Sequence, residues 1–384
     1  MKKVLILTTI SGFLTQFEMN DVQILKEMGY EIHYATNFRH PVYDIDQDKL
    51  LEEGIRLYPI DIEKSPIHIV RNIRAFRQLC RIIREENISL IHCHNPIGGV
   101  LGRMVALACG RKKLKVIYTA HGFHFYKGAP FLSWLIYYPV EALLASITDC
   151  LITINREDYE CAKHFPFSKR RLTIQIPGVG VKTERFSKDC KSRDEMRSRL
   201  KIRTDDFYIL SVGEINRNKN HEVILKAIAM LQDSRIHYGI CGKGEQDAEL
   251  LKLAEKLGIS EQFTLFGFRN DIPDMLQCAD CFAFPSKREG LGIAAIEAMA
   301  GGIPLITSDC RGTREYMVNG FTGFICFQNS PSEYAKAIKR LMTDQKLRRQ
   351  ISFVCREMAA QFDLSETDKI MRKVYAKMTV KDLS

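Results

Sequence analysis

What most constrains this chain is an alternation that runs twice: short, nearly uninterrupted apolar runs rich in β-branched residues, each followed by a longer amphipathic stretch. The first series comprises residues 4–8, 31–35, 90–93, 116–119 and 150–154, and the second 208–213, 236–241, 263–266, 281–284 and 304–307. Strands buried on both faces carry such continuous apolar runs, and the intervening stretches are long enough for crossover helices. Each series therefore predicts a parallel, doubly wound sheet, so the fold class is α/β with two Rossmann-like domains. Residues 182–203 are polar and charged and follow Ile176-Pro177-Gly178-Val179-Gly180, which reads as a linker. The boundary is placed near 185, giving domains 1–185 and 186–365.

With 384 residues, 46% hydrophobic and 27% charged, the chain has material for two separate cores and no sign of disorder. Its twelve cysteines are scattered, and no secretory signal is read at Met1-Lys2-Lys3-Val4, so reduced thiols and a cytoplasmic location are expected. The lone Cys278-x-x-Cys281 has no partner motif and reads as two small buried side chains. Lysine and arginine exceed acids by ten, 56 against 46, which favours an anionic partner. Zinc-finger spacing, aromatic RNA-binding strands and basic tails are all missing, so nucleic acid is not that partner.

No transmembrane helix is predicted: the longest apolar region, 131–147, is broken by Pro139 and Glu141 and falls short of about 20 residues. Residues 67–84 repeat Ile69, Ile73, Phe76, Leu79 and Ile83 at helical spacing, flanked by Arg71, Arg74, Arg77, Arg81 and Arg84. That pattern fits either an anionic membrane surface or a core-facing helix with a solvated basic side. The aromatic segment 123–138, with Trp134, favours membrane contact or a lipid acceptor groove.

Arg288-Glu289-Gly290-Leu291-Gly292-Ile293-Ala294-Ala295-Ile296-Glu297 carries the densest chemistry. Gly290 to Gly292 would open an apolar helix whose free N–H groups and positive dipole end suit a diphosphate. Eight helical residues rise about 12 Å, beyond the roughly 5 to 9.5 Å of a glycosidase carboxylate pair. Glu289 and Glu297 are therefore read as gripping opposite ends of one long ligand, Glu289 at a sugar ring and Glu297 at a ribose. A second phosphate loop, residues 213–221, follows one predicted strand and precedes the apolar-periodic helix 222–231, with Lys219 as its point charge. Gly242-Lys243-Gly244 is a weak G-x-G, and Thr9-Ile10-Ser11-Gly12-Phe13 lacks the dinucleotide fingerprint, so a nicotinamide cofactor is not expected. Thr119-Ala120-His121-Gly122 follows a buried strand at the edge where open α/β sheets bind ligands.

The E-x7-E after strand 281–284 resembles the retaining glycosyltransferases of family four, group 1, which have the GT-B fold of two domains facing a deep cleft. The similarity runs over nearly the whole chain and is to bacterial exopolysaccharide and capsule glycosyltransferases. It implies transfer of a hexose or N-acetylhexosamine from a UDP-sugar to a lipid-linked saccharide acceptor, without metal or cofactor. It implies His121 and Glu289 as catalytic. For the donor it implies Gly12, Arg217, Lys219, Gly242, Phe268, Arg269, Gly290, Leu291, Gly292 and Glu297, with residues 267–269 presenting backbone to the base. It also implies that the final helix, 366–384, packs back on the first domain. The family's loop arginine is replaced by Glu214, so Arg217 or Arg288 is expected to supply that charge. His92 and His94, with no carboxylate nearby in sequence, are expected to shape the acceptor cleft rather than hold a metal. Two other readings use the same residues: a nucleotide-sugar epimerase on this fold, and a non-catalytic nucleotide-sugar-binding regulator of a polysaccharide assembly complex.

Overall fold

Two parallel sheets form, and the burial of each strand explains its place in them. The computed structural model describes residues 2–379 other than 40, 42, 44, 112, 167–170 and 188–192. The first sheet has seven strands in the order β3-β2-β1-β4-β5-β6-β7: β1 Lys2–Leu7, β2 Tyr30–Thr36, β3 Arg56–Pro59, β4 Leu90–His94, β5 Lys115–Ala120, β6 Cys150–Thr153 and β7 Leu172–Gln175. The second has six in the order β10-β9-β8-β11-β12-β13: β8 Phe207–Val212, β9 Ile236–Cys241, β10 Phe263–Gly267, β11 Cys281–Phe284, β12 Leu305–Ser308 and β13 Gly323–Cys326. This is the GT-B architecture, two Rossmann-like domains each built on a parallel sheet. β3, β7 and β13 are new relative to the sequence reading. All are edge strands: polar residues and Pro59 interrupt β3 and β7, whereas β13 is a short apolar run, Gly323-Phe324-Ile325-Cys326.

Contacts divide the chain into two units, Met1–Val179 with Ser365–Ser384, and Gly180–Leu364. In each sheet the strand order reverses beside the first strand of its series, between β1 and β4 and between β8 and β11. A doubly wound sheet leaves a crevice at the carboxyl ends of such strands, which directs attention to the loops after β1, β4, β8 and β11.

The stretch expected to be a linker is structured wherever it is described. Helices Glu184–Ser187 and Arg193–Arg199 occupy it, while 188–192 lie outside the described residues. Buried Arg197 explains why: its guanidinium donates to the carbonyls of Cys278 (3.0 Å), Thr204 (2.8 Å) and Asp206 (2.8 Å), and pairs with Asp280 at 2.7 Å. A polar composition here anchors a turn rather than freeing it.

Two expectations for the first unit are also revised. Helix Phe131–Ala145 runs straight through Pro139, and Glu141 does not break it, because buried Arg103 meets Glu141 at 2.8 Å while its guanidinium lies 4.1 Å from the Tyr118 ring centroid. No helix among the described residues is long and apolar enough to cross a membrane. In helix Ile69–Glu85 the apolar stripe divides: Leu79 and Ile83 enter the core, whereas Ile69 and Ile73 stay exposed. The core-facing reading therefore holds for the second half of the helix, and the first half leaves its apolar residues exposed.

Candidate active site

In the second unit, the loop after β8 folds around Asn216, whose side-chain oxygen accepts from the N–H groups of Asn218 (3.0 Å) and Lys219 (3.1 Å). This local turn fixes Lys219 just before helix Glu222–Leu231. The loop is stitched to the one after β11: Lys287 N–H donates to Asn218 at 2.7 Å, and Asn218 Nδ2 donates to the Arg288 carbonyl at 2.9 Å. The stitching delivers Lys219 Nζ to Glu289 Oε1 at 2.7 Å, with the ammonium 5.0 Å from the Phe284 ring centroid. A cation and a carboxylate thus share one small, partly buried patch at the switch point of the sheet.

The neighbouring loops are pressed into this patch. A Cβ on Gly242 would lie 1.8 Å from the Gly213 carbonyl oxygen, and one on Gly244 would lie 2.0 Å from that of Ile215. The G-x-G is therefore required by loop packing, a stronger reason than the weak phosphate motif. Gly242 N–H in turn donates to the Gly267 carbonyl at 2.8 Å. Arg269 is held by Asp271 through both carboxylate oxygens, one at 2.7 Å, and Phe268 is exposed.

Helix Ile293–Ala300 starts after Gly292, which has φ 92° and no side-chain cap. Glycine is needed there twice over: for that backbone conformation, and because a Cβ would meet the Phe284 ring at 2.7 Å and Tyr316 Oη at 2.8 Å. Glu289 to Gly292 are turn rather than helix, so the two-turn rise expected between Glu289 and Glu297 does not apply. Glu297 lies on the helix, and burial pushes its carboxyl up to about 7, with Arg185 pulling the other way. Arg217 and Arg288 are both exposed, whereas Glu214 accepts from Asn216 Nδ2 at 2.9 Å.

Sequence reasoning missed the loop after β12. Arg311, buried, donates to the Glu289 carbonyl at 3.5 Å. Gly312 abuts Leu291, where a Cβ would sit 2.8 Å from its backbone nitrogen. The signal was present as Arg311-Gly312 shortly after an apolar strand.

In the first unit, Gly12 closes the turn after β1, its carbonyl accepting from Gln16 N–H at 3.1 Å and Thr15 Oγ1 at 2.8 Å. A π-helical turn, Leu14–Glu18, follows and leads into helix Met19–Glu27. It directs Glu18 inward, where Oε1 lies 3.4 Å from His94 Nδ1 and 3.7 Å from His121 Nε2. His94 Nδ1 and His121 Nε2 are 3.2 Å apart. These three donor atoms lie within 4.8 Å of one another, so the expectation that no carboxylate stands near the histidine pair is corrected. The fold supplies one from a distant segment that no local pattern reveals.

His92 and His94 are buried and form scaffold rather than a cleft wall. His92 meets Tyr375 Oη at 2.9 Å and Thr119 Oγ1 at 2.8 Å, and Tyr375 donates to Asp21 at 2.8 Å. Burial shifts every titratable member of this cluster toward its neutral form. It raises Glu18 well above the usual carboxylate range and Asp21 to about 7, and it lowers His92 to about 3 and His121 to about 4. The His121 loop is pinned by buried Asp158, which accepts from Phe123 N–H at 3.0 Å.

Residues 3–155 match the family model described as glycosyl transferase 4-like, and residues 192–356 match glycosyl transferases group 1. A Bacillus subtilis (strain 168) protein named glycosyltransferase EpsD is 36% identical over 378 residues, covering 98% of this chain and 96% of that protein. An Escherichia coli UDP-Gal:alpha-D-GlcNAc-diphosphoundecaprenol alpha-1,3-galactosyltransferase is 25% identical, covering 97% and 95%. Among solved structures, Anabaena Alr3699/HepE in complex with UDP superposes with a TM-score of 0.79 at 18% identity, covering 98% of this chain and 100% of that one. With both halves matched by the family's models and a relative aligned almost end to end, this chain belongs to the group 1 glycosyltransferases and is a glycosyltransferase of the GT-B fold.

Proposed function

We propose that the enzyme moves a hexose or N-acetylhexosamine from a UDP-sugar to a lipid-linked saccharide, with retention at the anomeric carbon, in building an extracellular or capsular polysaccharide. The observation that carries this reading is the Lys219–Glu289 pair at 2.7 Å, set among glycine loops at the switch point of the second sheet. Lys219 balances the charge of the departing diphosphate, and Arg217 or Arg288 adds the cation that Glu214 cannot provide. Glu289 orients sugar hydroxyls and stabilises the oxocarbenium-like centre. Glu297, its carboxyl raised by burial, hydrogen-bonds the ribose, while the backbone at Gly290, Leu291 and Gly292 faces phosphate. From the first unit, His121 contacts the transferring sugar. The leaving phosphate oxygen helps deprotonate the incoming hydroxyl, and neither metal nor cofactor takes part.

The E. coli relative, named for a UDP-Gal donor and a diphosphoundecaprenol-linked acceptor, supports both substrate classes. The UDP complex of the Anabaena protein agrees with the nucleotide. Lys219→Ala is expected to weaken UDP binding by about 1.5 to 3 kcal/mol, the worth of a charged hydrogen bond. Calorimetric titration with UDP checks this, and unchanged affinity removes Lys219 from the site. Incubating UDP-sugars with and without a lipid diphosphate saccharide tests the reaction itself. Isomerised donor without acceptor favours the epimerase, and an inverted linkage in the product excludes retention.

The enzyme is further read as peripheral on the inner face of the cell membrane. Exposed Ile69, Val70 and Ile73 stand beside a row of arginines, and Phe131, Leu132, Leu135 and Leu143 are exposed along another helix of the same unit. Such surfaces suit anionic headgroups over an apolar boundary. Co-sedimentation with phosphatidylglycerol vesicles is expected to exceed that with phosphatidylcholine at least about tenfold at low salt and to fall as salt rises. Equal binding to both lipids, or to neither, ends this reading.

A further inference from the structure

Glu18 has no part in the reading above, yet it is buried, and its Oε1 has no hydrogen-bond partner among the described residues. That oxygen faces the inward nitrogen of His121. Two groups able to accept a hydrogen bond therefore converge on His121 Nε2: His94 Nδ1 at 3.2 Å and Glu18 Oε1 at 3.7 Å. The Phe13 ring meets the His121 ring edge-on at 4.9 Å, and the His94 ring stacks at 5.5 Å, so the imidazole is fixed in plane as well as in direction. With Nε2 turned inward, Nδ1 is the nitrogen left for a ligand, and the His121 side chain is 19% exposed.

We propose that Glu18, together with His94, is a positioning residue that holds His121 in the Nε2–H tautomer, so that Nδ1 presents a lone pair to a sugar hydroxyl. This rests on the reading of His121 as a sugar contact. In a neutral imidazole one nitrogen donates and the other accepts, so what binds Nε2 decides what Nδ1 can do. The groups facing Glu18 are consistent with a neutral carboxyl as the second acceptor. Asp21 lies on the helix that follows, Met19–Glu27. Tyr375 and Asp368 come from the final helix, with Asn20 donating to Asp368, while His92, His94 and Thr119 come from β4 and β5. Among the described residues no lysine or arginine pairs with Glu18, and burial, with Asp21 beside it, raises its carboxyl well above the usual range. Loss of the Glu18 proton would leave a carboxylate, a stronger acceptor for Nε2–H, and adds no proton to His121. The sign follows: the tautomer persists as pH rises through the elevated pKa of Glu18.

The test is long-range 1H–15N NMR of the imidazole nitrogens in the full-length protein from pH 5 to 9, with His121 assigned by His121→Gln. The expected result is a neutral Nε2–H tautomer that persists from pH 5 to 9. In Glu18→Gln, which keeps an acceptor oxygen, the tautomer persists. In Glu18→Leu the tautomer is mixed, and turnover of a UDP-sugar falls about tenfold or more with donor KM within about threefold. Far-ultraviolet circular dichroism confirms that each variant is folded. An Nδ1–H tautomer, titration of His121 near its ordinary value of about 6.5, or an unchanged signal in Glu18→Leu overturns the proposal. Because the spectrum is read on resting enzyme, it stands apart from whether the donor is a UDP-sugar, which the titration of Lys219→Ala decides.

Discussion

Glu289→Gln is expected to lower kcat by about 100-fold or more while leaving UDP affinity within about threefold, the pattern of a group whose charge matters most in the transition state. The substitution keeps shape and one acceptor oxygen, so Lys219 retains a hydrogen-bond partner and the loops retain their stitching. On the proposed reading, what disappears is the negative charge near the anomeric centre, where positive charge develops as the sugar leaves. Glu289 is well placed for that role: its Oε1 is 2.7 Å from Lys219 Nζ, and Arg311 braces its backbone carbonyl. Steady-state kinetics with varied UDP-sugar, alongside UDP titration, separates the outcomes. A loss confined to binding would make Glu289 only the counter-ion of Lys219.

Gly242→Ala is expected to cost at least about 3 kcal/mol, lowering Tm by roughly 6–12 °C, and to weaken UDP binding with it. The new methyl would sit 1.8 Å from the Gly213 carbonyl oxygen, and the obstacle is backbone, not a flexible side-chain end. Relief requires the loops after β8 and β9 to part, which pulls on the turn that carries Lys219. Gly258→Ala is the control. It introduces a methyl at φ +72° with nothing within 4 Å, so backbone strain of about 1 kcal/mol is all it should show. Thermal unfolding of both variants with and without UDP makes the comparison, and equal Tm values would mean that these loops separate freely.

The central strands could be read from the sequence because both faces are buried, leaving continuous runs such as Ile209-Leu210 and Phe282-Ala283. At the sheet edges, β3 and β7 are broken by Arg56, Pro59, Thr173 and Gln175, and β13 is a run of only four residues, none of β3 or β7 being fully buried. Lys219 and Glu289 were recognisable for a different reason: each follows the end of a strand, in loops marked by glycine or asparagine. Glu18 carried no signal. It is one acid in a short mixed segment, and only the folding of β1 beside β4 brings it to His94. The same long-range logic misled the reading of His92 and His94, whose position after a strand indicated a cleft while their burial makes them framework. Arg197 misled it in reverse, since a charged residue in a polar stretch proved to be a fully enclosed anchor.

Tyr375 also bears on how the molecule assembles on the ribosome. Its hydroxyl serves Asp21 and His92, yet it is translated 354 residues after Asp21. Until that late segment emerges, the nascent amino-terminal lobe must keep an acid and an imidazole hydrated at its centre, so its final consolidation awaits nearly the entire polypeptide. The lobe made second is encoded without interruption and faces no such wait.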